Sequence, residues 1–146
     1  MKEPIFKWDA DTKTAYCAIW DADGNMHEGK AFCHEDDFDM ANEKTGLEIA
    51  RRRAEISAYK AYRYRLKIEL EALNHLASVI NHSSKFNPKS YENIMLNKQI
   101  KLREEDLATV KEIITEERIK LKIYITEKDA LYKQLRALRA KRNKAE

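Results

Sequence analysis

The chain has 146 residues, which is the length of one domain, and it holds only three glycines and two prolines. Charged side chains make up 36% of the sequence, a balance that is typical of long surface helices and argues against an all-β sandwich. No stretch approaches the roughly 18 uninterrupted apolar residues of a membrane span, and the first residues lack a signal-peptide layout. We therefore expect a cytoplasmic protein whose Cys17 and Cys33 are reduced thiols.

The charge is divided unevenly along the chain. Residues 1–48 carry five basic and twelve acidic side chains, a net charge of −7, whereas the remainder carries 23 basic and 13 acidic side chains, a net charge of +10. This asymmetry predicts a basic surface that meets an anionic partner, or electrostatic docking between copies of the chain. The alternative is a solvated helical surface whose charges only keep the protein soluble.

The first 33 residues predict a three-stranded antiparallel meander. The segments IFKW, TAYCAIW and MHEGKAFC are rich in aromatic and β-branched residues, and the turn-forming segments DADTK and DADGN separate them. The pair Asp23-Gly24 suits a tight hairpin turn, but the loop that contains it has either two or five residues. With either register, Cys17 and Cys33 lie too far apart for a disulfide bond.

The tetrapeptide WDAD occurs twice, at residues 8–11 and 20–23. The second copy opens with the side-chain spacing of an EF-hand calcium loop. However, Met26 and Phe32 stand where that loop requires its glycine and its bidentate glutamate. We therefore interpret both copies as turns, and we expect their tryptophans to be hydrophobic side chains of the small sheet.

The acidic segment HEDDFD at residues 34–39 follows the predicted sheet. Acids favour a helix N-terminus, and Asp39 is the expected N-cap of the first helix. The alternative is a hard-metal site built from Asp36, Asp37 and Asp39, with or without His34. Adjacent acids on an extended segment point in different directions, so we expect no metal site here.

A helical pattern begins at Met40 and continues to about His82. A coiled-coil-like seam of apolar residues at alternating four- and three-residue spacing comprises Leu66, Leu70, Leu73, Ala77 and Ile80. A stripe of mostly small residues, which allows close approach of a helix or a sheet, comprises Leu47, Ala50, Ala54, Ala58 and Ala61. The segment HSSKFNPKS ends this pattern, with Asn87 and Pro88 suited to start a second helix that reaches about Asn143.

The second helix has a similar seam. Its thirteen positions, ten of them apolar, are Leu96, Ile100, Arg103, Leu107, Val110, Ile114, Glu117, Leu121, Tyr124, Lys128, Leu131, Leu135 and Leu138. Residues 119–125 alternate at period two, so a strand is the alternative there. We favour the continuous helix because the surrounding heptads stay in phase.

These patterns predict an α+β fold that is predominantly α. Residues 1–39 form the small antiparallel meander and the acidic elbow, and residues 40–146 form two long helices in a coiled-coil-like hairpin, all within one structural unit. The second helix is longer than the first by about ten residues, so the first helix cannot cover its whole seam. We therefore expect part of the seam to be exposed, and we expect a homodimer or higher oligomer.

The sequence lacks a catalytic signature. The histidines, none with a metal-ligand or catalytic partner at motif spacing, are His27, His34, His75 and His82. No cysteine pair has zinc spacing, and the chain contains no phosphate-binding glycine loop and no nucleophile motif. We expect neither enzymatic activity nor a cofactor.

Two basic patches are the candidate binding sites. The first, expected to bind a partner or an anionic ligand, comprises Arg51, Arg52, Arg53, Tyr59, Arg63 and Arg65. The second comprises Arg136, Arg139, Lys141 and Arg142. The helix dipole explains cations at a C-terminus but disfavours them near a helix start, so we favour the first patch. A pairing of its arginines with the acidic elbow would instead make them structural.

The stretch GNMHEGKAFCHEDDFDMANEKTGLEIARRRAE, residues 24–55, resembles the strand, acidic elbow and helix of small orphan accessory proteins from phages and mobile elements of Gram-positive bacteria. It covers about a quarter of the chain. The resemblance implies a binding protein in the host cytoplasm that acts stoichiometrically, for example by blocking a host defence system, but it assigns no functional residues.

Three functions remain as hypotheses. The first is a phage-type accessory protein that inhibits a host defence or nuclease complex, as an anti-CRISPR protein would, by contact with a host protein or ribonucleoprotein. The second is a sponge that holds a cyclic nucleotide or another small anionic ligand between subunits. The third is a non-specific nucleic-acid-binding coiled-coil protein, whose affinity would fall steeply with salt.

Overall fold

The computed structural model describes residues 2–34, 37, 41–82 and 91–145. Its elements, in chain order, are β1 (Ile5–Asp9), β2 (Thr14–Trp20), β3 (Met26–Phe32), α1 (Glu43–Asn81) and α2 (Tyr91–Ala145). The fold is therefore α+β and predominantly α, as the sequence predicts. The chain divides into two compact units, the first made of Met1–Ala58 with Glu116–Glu146 and the second of Tyr59–Thr115.

Both copies of WDAD are turns, which confirms the interpretation from sequence. Asp9 Oδ1 accepts hydrogen bonds from the backbone N–H groups two and three residues later, at 3.0 and 3.2 Å. Asp21 Oδ1 does the same for the N–H groups two and four residues later, both at 2.9 Å. These bonds favour the charged carboxylates.

The second hairpin has the longer of the two expected loops. Trp20 pairs with Met26, so five residues lie between the paired strand ends. Gly24 has a φ of 84°, the left-handed conformation that glycine adopts without strain. Cys17 pairs with Gly29 in the middle of the sheet, whereas the backbone N–H of Cys33 donates to Lys13 beyond its end, and both cysteines are thiols.

The sheet has the strand order β1-β2-β3, and both neighbouring pairs are antiparallel. We call inner the face that carries Phe6, Trp8, Ala15, Cys17, Ile19, His27, Gly29 and Ala31. We call outer the face that carries Ile5, Lys7, Asp9, Thr14, Tyr16, Ala18, Trp20, Met26, Glu28, Lys30 and Phe32. Burial in β3 alternates strictly between these faces, as expected for a strand with one side against a core.

Helix α1 lies unusually close to the inner face of the sheet. A Cβ atom added at Gly29 would stand 1.9 Å from the carbonyl oxygen of Ala50 and 2.5 Å from the backbone nitrogen of Ala54. Both alanines are fully buried. Ala50 and Ala54 of the predicted stripe of small residues therefore meet the sheet, and Gly29 is the complementary gap in β3.

The hydrophobic core of the first unit joins the inner face to both helices. Its buried members are Ala15, Cys17, Ala31, Ile49, Ala50 and Ala54. From α2, Leu121, Tyr124 and Ile125 pack against this cluster at helical spacing, while Ile119 and Ile123 are half exposed. Residues 119–125 are thus helical, and the strand alternative is wrong.

The second unit contains the seam between the two helices. Leu66, Val110 and Ile114 are buried there in one cluster, and Leu107 packs against it. All five seam positions of α1 and the first ten of α2 are buried or half-buried, which confirms the heptad assignment over that length.

The heptad assignment is wrong for the last three seam positions of α2, which it predicted to be buried. Leu131, Leu135 and Leu138 are 52%, 40% and 61% exposed, whereas Tyr132 is 7% exposed. A straight helix repeats every 3.6 residues, so a strict heptad pattern drifts by about 20° per heptad. The buried residue that follows Lys128 is therefore Tyr132, four residues later, instead of Leu131, three residues later.

Helix α1 starts with an N-cap that the sequence reading missed. Asn42 Oδ1 accepts the backbone N–H of Thr45 at 3.2 Å, which is N-cap geometry for a helix that begins at Glu43. The expected cap Asp39 and the expected start of α2 at Asn87 and Pro88 lie outside the described residues. Across the described helices, no segment is both long and apolar enough to cross a membrane.

The contact between Gly29 and α1 gives a test of the packing. We expect Gly29→Ala to lower the free energy of unfolding by about 2 kcal/mol or more, because the new methyl group meets helix backbone that cannot rotate away. In a strand with room for a methyl group, alanine is more favourable than glycine because glycine loses more conformational entropy on folding. Without this contact, the change would therefore stabilise the protein. Urea unfolding followed by circular dichroism measures the difference.

The matched control is Glu28→Ala, which changes the exposed neighbour on the outer face. We expect this variant to stay within about 0.5 kcal/mol of the parent. A Gly29→Ala protein as stable as the Glu28→Ala protein would contradict the close approach of α1.

Candidate functional site

The three consecutive arginines of the first basic patch lie in the first compact unit, near the start of α1. Arg51 donates to Glu48 at 2.6 Å and to Glu55 at 2.5 Å, one turn away on either side. Arg52 Nε donates to the same oxygen of Glu48 at 2.9 Å. Two arginines and two glutamates thus form one ion network along the helix.

This network shifts the ionisation of its members. The hydrogen bond from Arg51 lowers the pKa of Glu48 below its ordinary value of 4.5, and Arg52 contributes in the same direction. The hydrogen bond to Glu48 in turn raises the pKa of Arg51. Each group therefore stabilises the charged form of its partner.

The remaining contacts of these arginines tie α1 to its neighbours in the same unit. The guanidinium carbon of Arg52 lies 5.5 Å from the centre of the Tyr124 ring on α2, a cation–π distance. Arg53 Nη1 donates to the backbone carbonyl of Lys30 on β3 at 2.7 Å. The triple arginine thus joins α1 to the sheet and to α2.

These contacts resolve the electrostatic conflict that directed attention to the patch. Cations near a helix start need compensation, and Glu48 and Glu55 supply it for Arg51. The sequence offered the acidic elbow for this role, but Asp37 instead contacts Arg136, whose Nη1 lies 3.0 Å from Asp37 Oδ1. Asp36 and Asp39 lie outside the described residues.

The other three residues of the first patch belong to the second compact unit. Tyr59 is 37% exposed, and Arg63 is half-buried. Arg65 is also half-buried, and its guanidinium carbon lies 5.6 Å from the centre of the Tyr62 ring. The boundary between the units falls after Ala58, so the six predicted residues do not form one described site.

The second basic patch lies at the end of α2, where every residue from 133 to 145 is exposed. Arg139, Lys141 and Arg142 are in this stretch, together with Arg136. Leu135 and Leu138 lie in the same stretch, and Leu131, which is also exposed, lies two residues before it. The sequence assigned these leucines to the seam and predicted that part of the seam is exposed, but it did not identify these turns as the exposed part or join them to the basic patch.

Two of the histidines make contacts that the structure shows, and the other two are exposed. His27 is buried, and its Nε2 lies 2.9 Å from Asp21 Oδ2, a contact that is the main reason why the pKa of Asp21 falls to about 2. His82 Nδ1 lies 2.6 Å from the carbonyl oxygen four residues earlier, near the end of α1. His34 and His75 are exposed.

Burial perturbs two other ionisable side chains of the first unit. Burial raises the pKa of the Cys17 thiol, which makes it a poor nucleophile, and burial also raises the pKa of the Tyr132 hydroxyl. Among the described residues, no three histidine, cysteine, aspartate or glutamate side chains are close enough to hold a metal ion.

No family model matches the chain, and no curated protein and no solved structure matches it either. The resemblance of residues 24–55 to phage accessory proteins therefore stays a prediction.

The ion network on α1 predicts a pH-dependent effect of Glu48→Gln. At neutral pH we expect the free energy of unfolding to fall by roughly 0.5 to 1 kcal/mol, the upper part of the range for exposed ion pairs. Because the folded-state pKa of Glu48 lies below 4.5, its contribution is present above that pH and disappears as the pH falls. The deficit of the variant should therefore be smaller in acid, well below pH 4.5, than at neutral pH.

Urea unfolding at both pH values measures this effect, with Glu71→Gln as the control for loss of an exposed carboxylate on the same helix. The control should stay within about 0.5 kcal/mol of the parent at neutral pH. A Glu48→Gln deficit that persists unchanged in acid would show that the ion network does not cause it.

Proposed function

We propose that the protein is a non-enzymatic binding protein that inhibits a host defence or nuclease complex by stoichiometric contact. Its binding surface is the exposed end of α2, formed by the leucines 131, 135 and 138 and the cations around them. We call this surface the leucine–basic end. The homodimer or higher oligomer expected from the sequence stays a prediction.

The observation that carries this proposal is the exposure of the three leucines. They recur at four- and three-residue spacing, so they occupy one side of α2, and each is at least 40% exposed. Helices that bind in a groove of a partner present apolar anchors at this spacing. The leucine–basic end is therefore suited to enter an apolar groove.

The charges around the leucines define the partner further. Residues 130–145 contain six lysines and arginines and no aspartate or glutamate. Parallel pairing with a second copy would bring these cations together and would be unfavourable. A groove with an acidic or phosphate-bearing rim, as on a ribonucleoprotein, complements them better.

The contacts of the first basic patch support this choice of surface. Arg51 and Arg52 share Glu48, and Arg53 binds the backbone of β3. A partner that bound these three arginines would break the contacts that join α1 to its neighbours. Arg136 of the leucine–basic end also has a contact, with Asp37, so the exposed leucines and not the cations decide between the two surfaces. The anti-defence role itself is supported by the resemblance of residues 24–55 to phage accessory proteins.

A plaque assay tests the proposal. The protein is expressed in Gram-positive strains that each carry one defence system, and plaques are counted for a phage that the system restricts. We expect plaque counts to rise by orders of magnitude in at least one strain. Replacing Leu131, Leu135 and Leu138 together by serine should abolish this rise, because the apolar anchors are lost.

The matched control replaces Ile119 and Ile123 by serine, since these α2 residues are exposed to a similar degree but lie on another side of the helix. Both variants should melt like the parent, because surface changes usually alter stability by less than about 0.5 kcal/mol. The proposal is overturned if plaque counts rise in no strain, or if the leucine variant raises them as much as the control does.

A further inference from the structure

We draw no further inference here: the strongest candidate, the outer face of the sheet with its exposed Ile5, Met26 and Phe32, carries as many acids as lysines, and nothing among the described residues shows what covers it.

Discussion

The close approach of α1 to β3 at Gly29 is the constraint on which the first compact unit depends. A helix backbone meets the sheet there without an intervening side chain, and Ala50 and Ala54 leave the necessary room. This contact decides which face of the sheet is inner, so the aromatic residues of the other face stay in solvent. It also brings Arg53 within hydrogen-bonding distance of the Lys30 carbonyl. The absence of a side chain at Gly29 therefore determines both the contact of Arg53 with β3 and which face of the sheet is exposed.

Arginine density alone does not identify a binding surface in this protein. Glu48 engages Arg51 and Arg52, and Tyr124 covers the guanidinium of Arg52, so the most basic stretch of sequence serves packing between elements. Large apolar side chains are exposed elsewhere, at the end of α2 and on the outer face of the sheet. The end of α2 combines exposed leucines with cations, which is why a binding function is proposed for it.

Sequence patterns predicted the elements well because their signals are local. The meander, both helices and the small stripe around Ala50 follow from periodicity and turn chemistry. The details that failed depend on distant partners or on competing neighbours. Asn42 caps α1 within the described residues, a role that sequence gave to another candidate, and Tyr132 replaces Leu131 at the core because helical and heptad repeats drift apart. Glu48 and Glu55 lie three residues before and four residues after Arg51, so this helical spacing could have predicted their ion pairs with it.

The most direct test of this account is a measurement of which sheet face α1 covers. In a nuclear Overhauser experiment, the α-protons of Gly29 should show strong cross-peaks to the backbone protons of Ala50 and Ala54, because those backbones are in contact. The side-chain protons of Tyr16 and Ala18 should show none to α1. Cross-peaks from α1 to Tyr16 or Ala18, with none to Gly29, would place the helix on the other face and contradict the account.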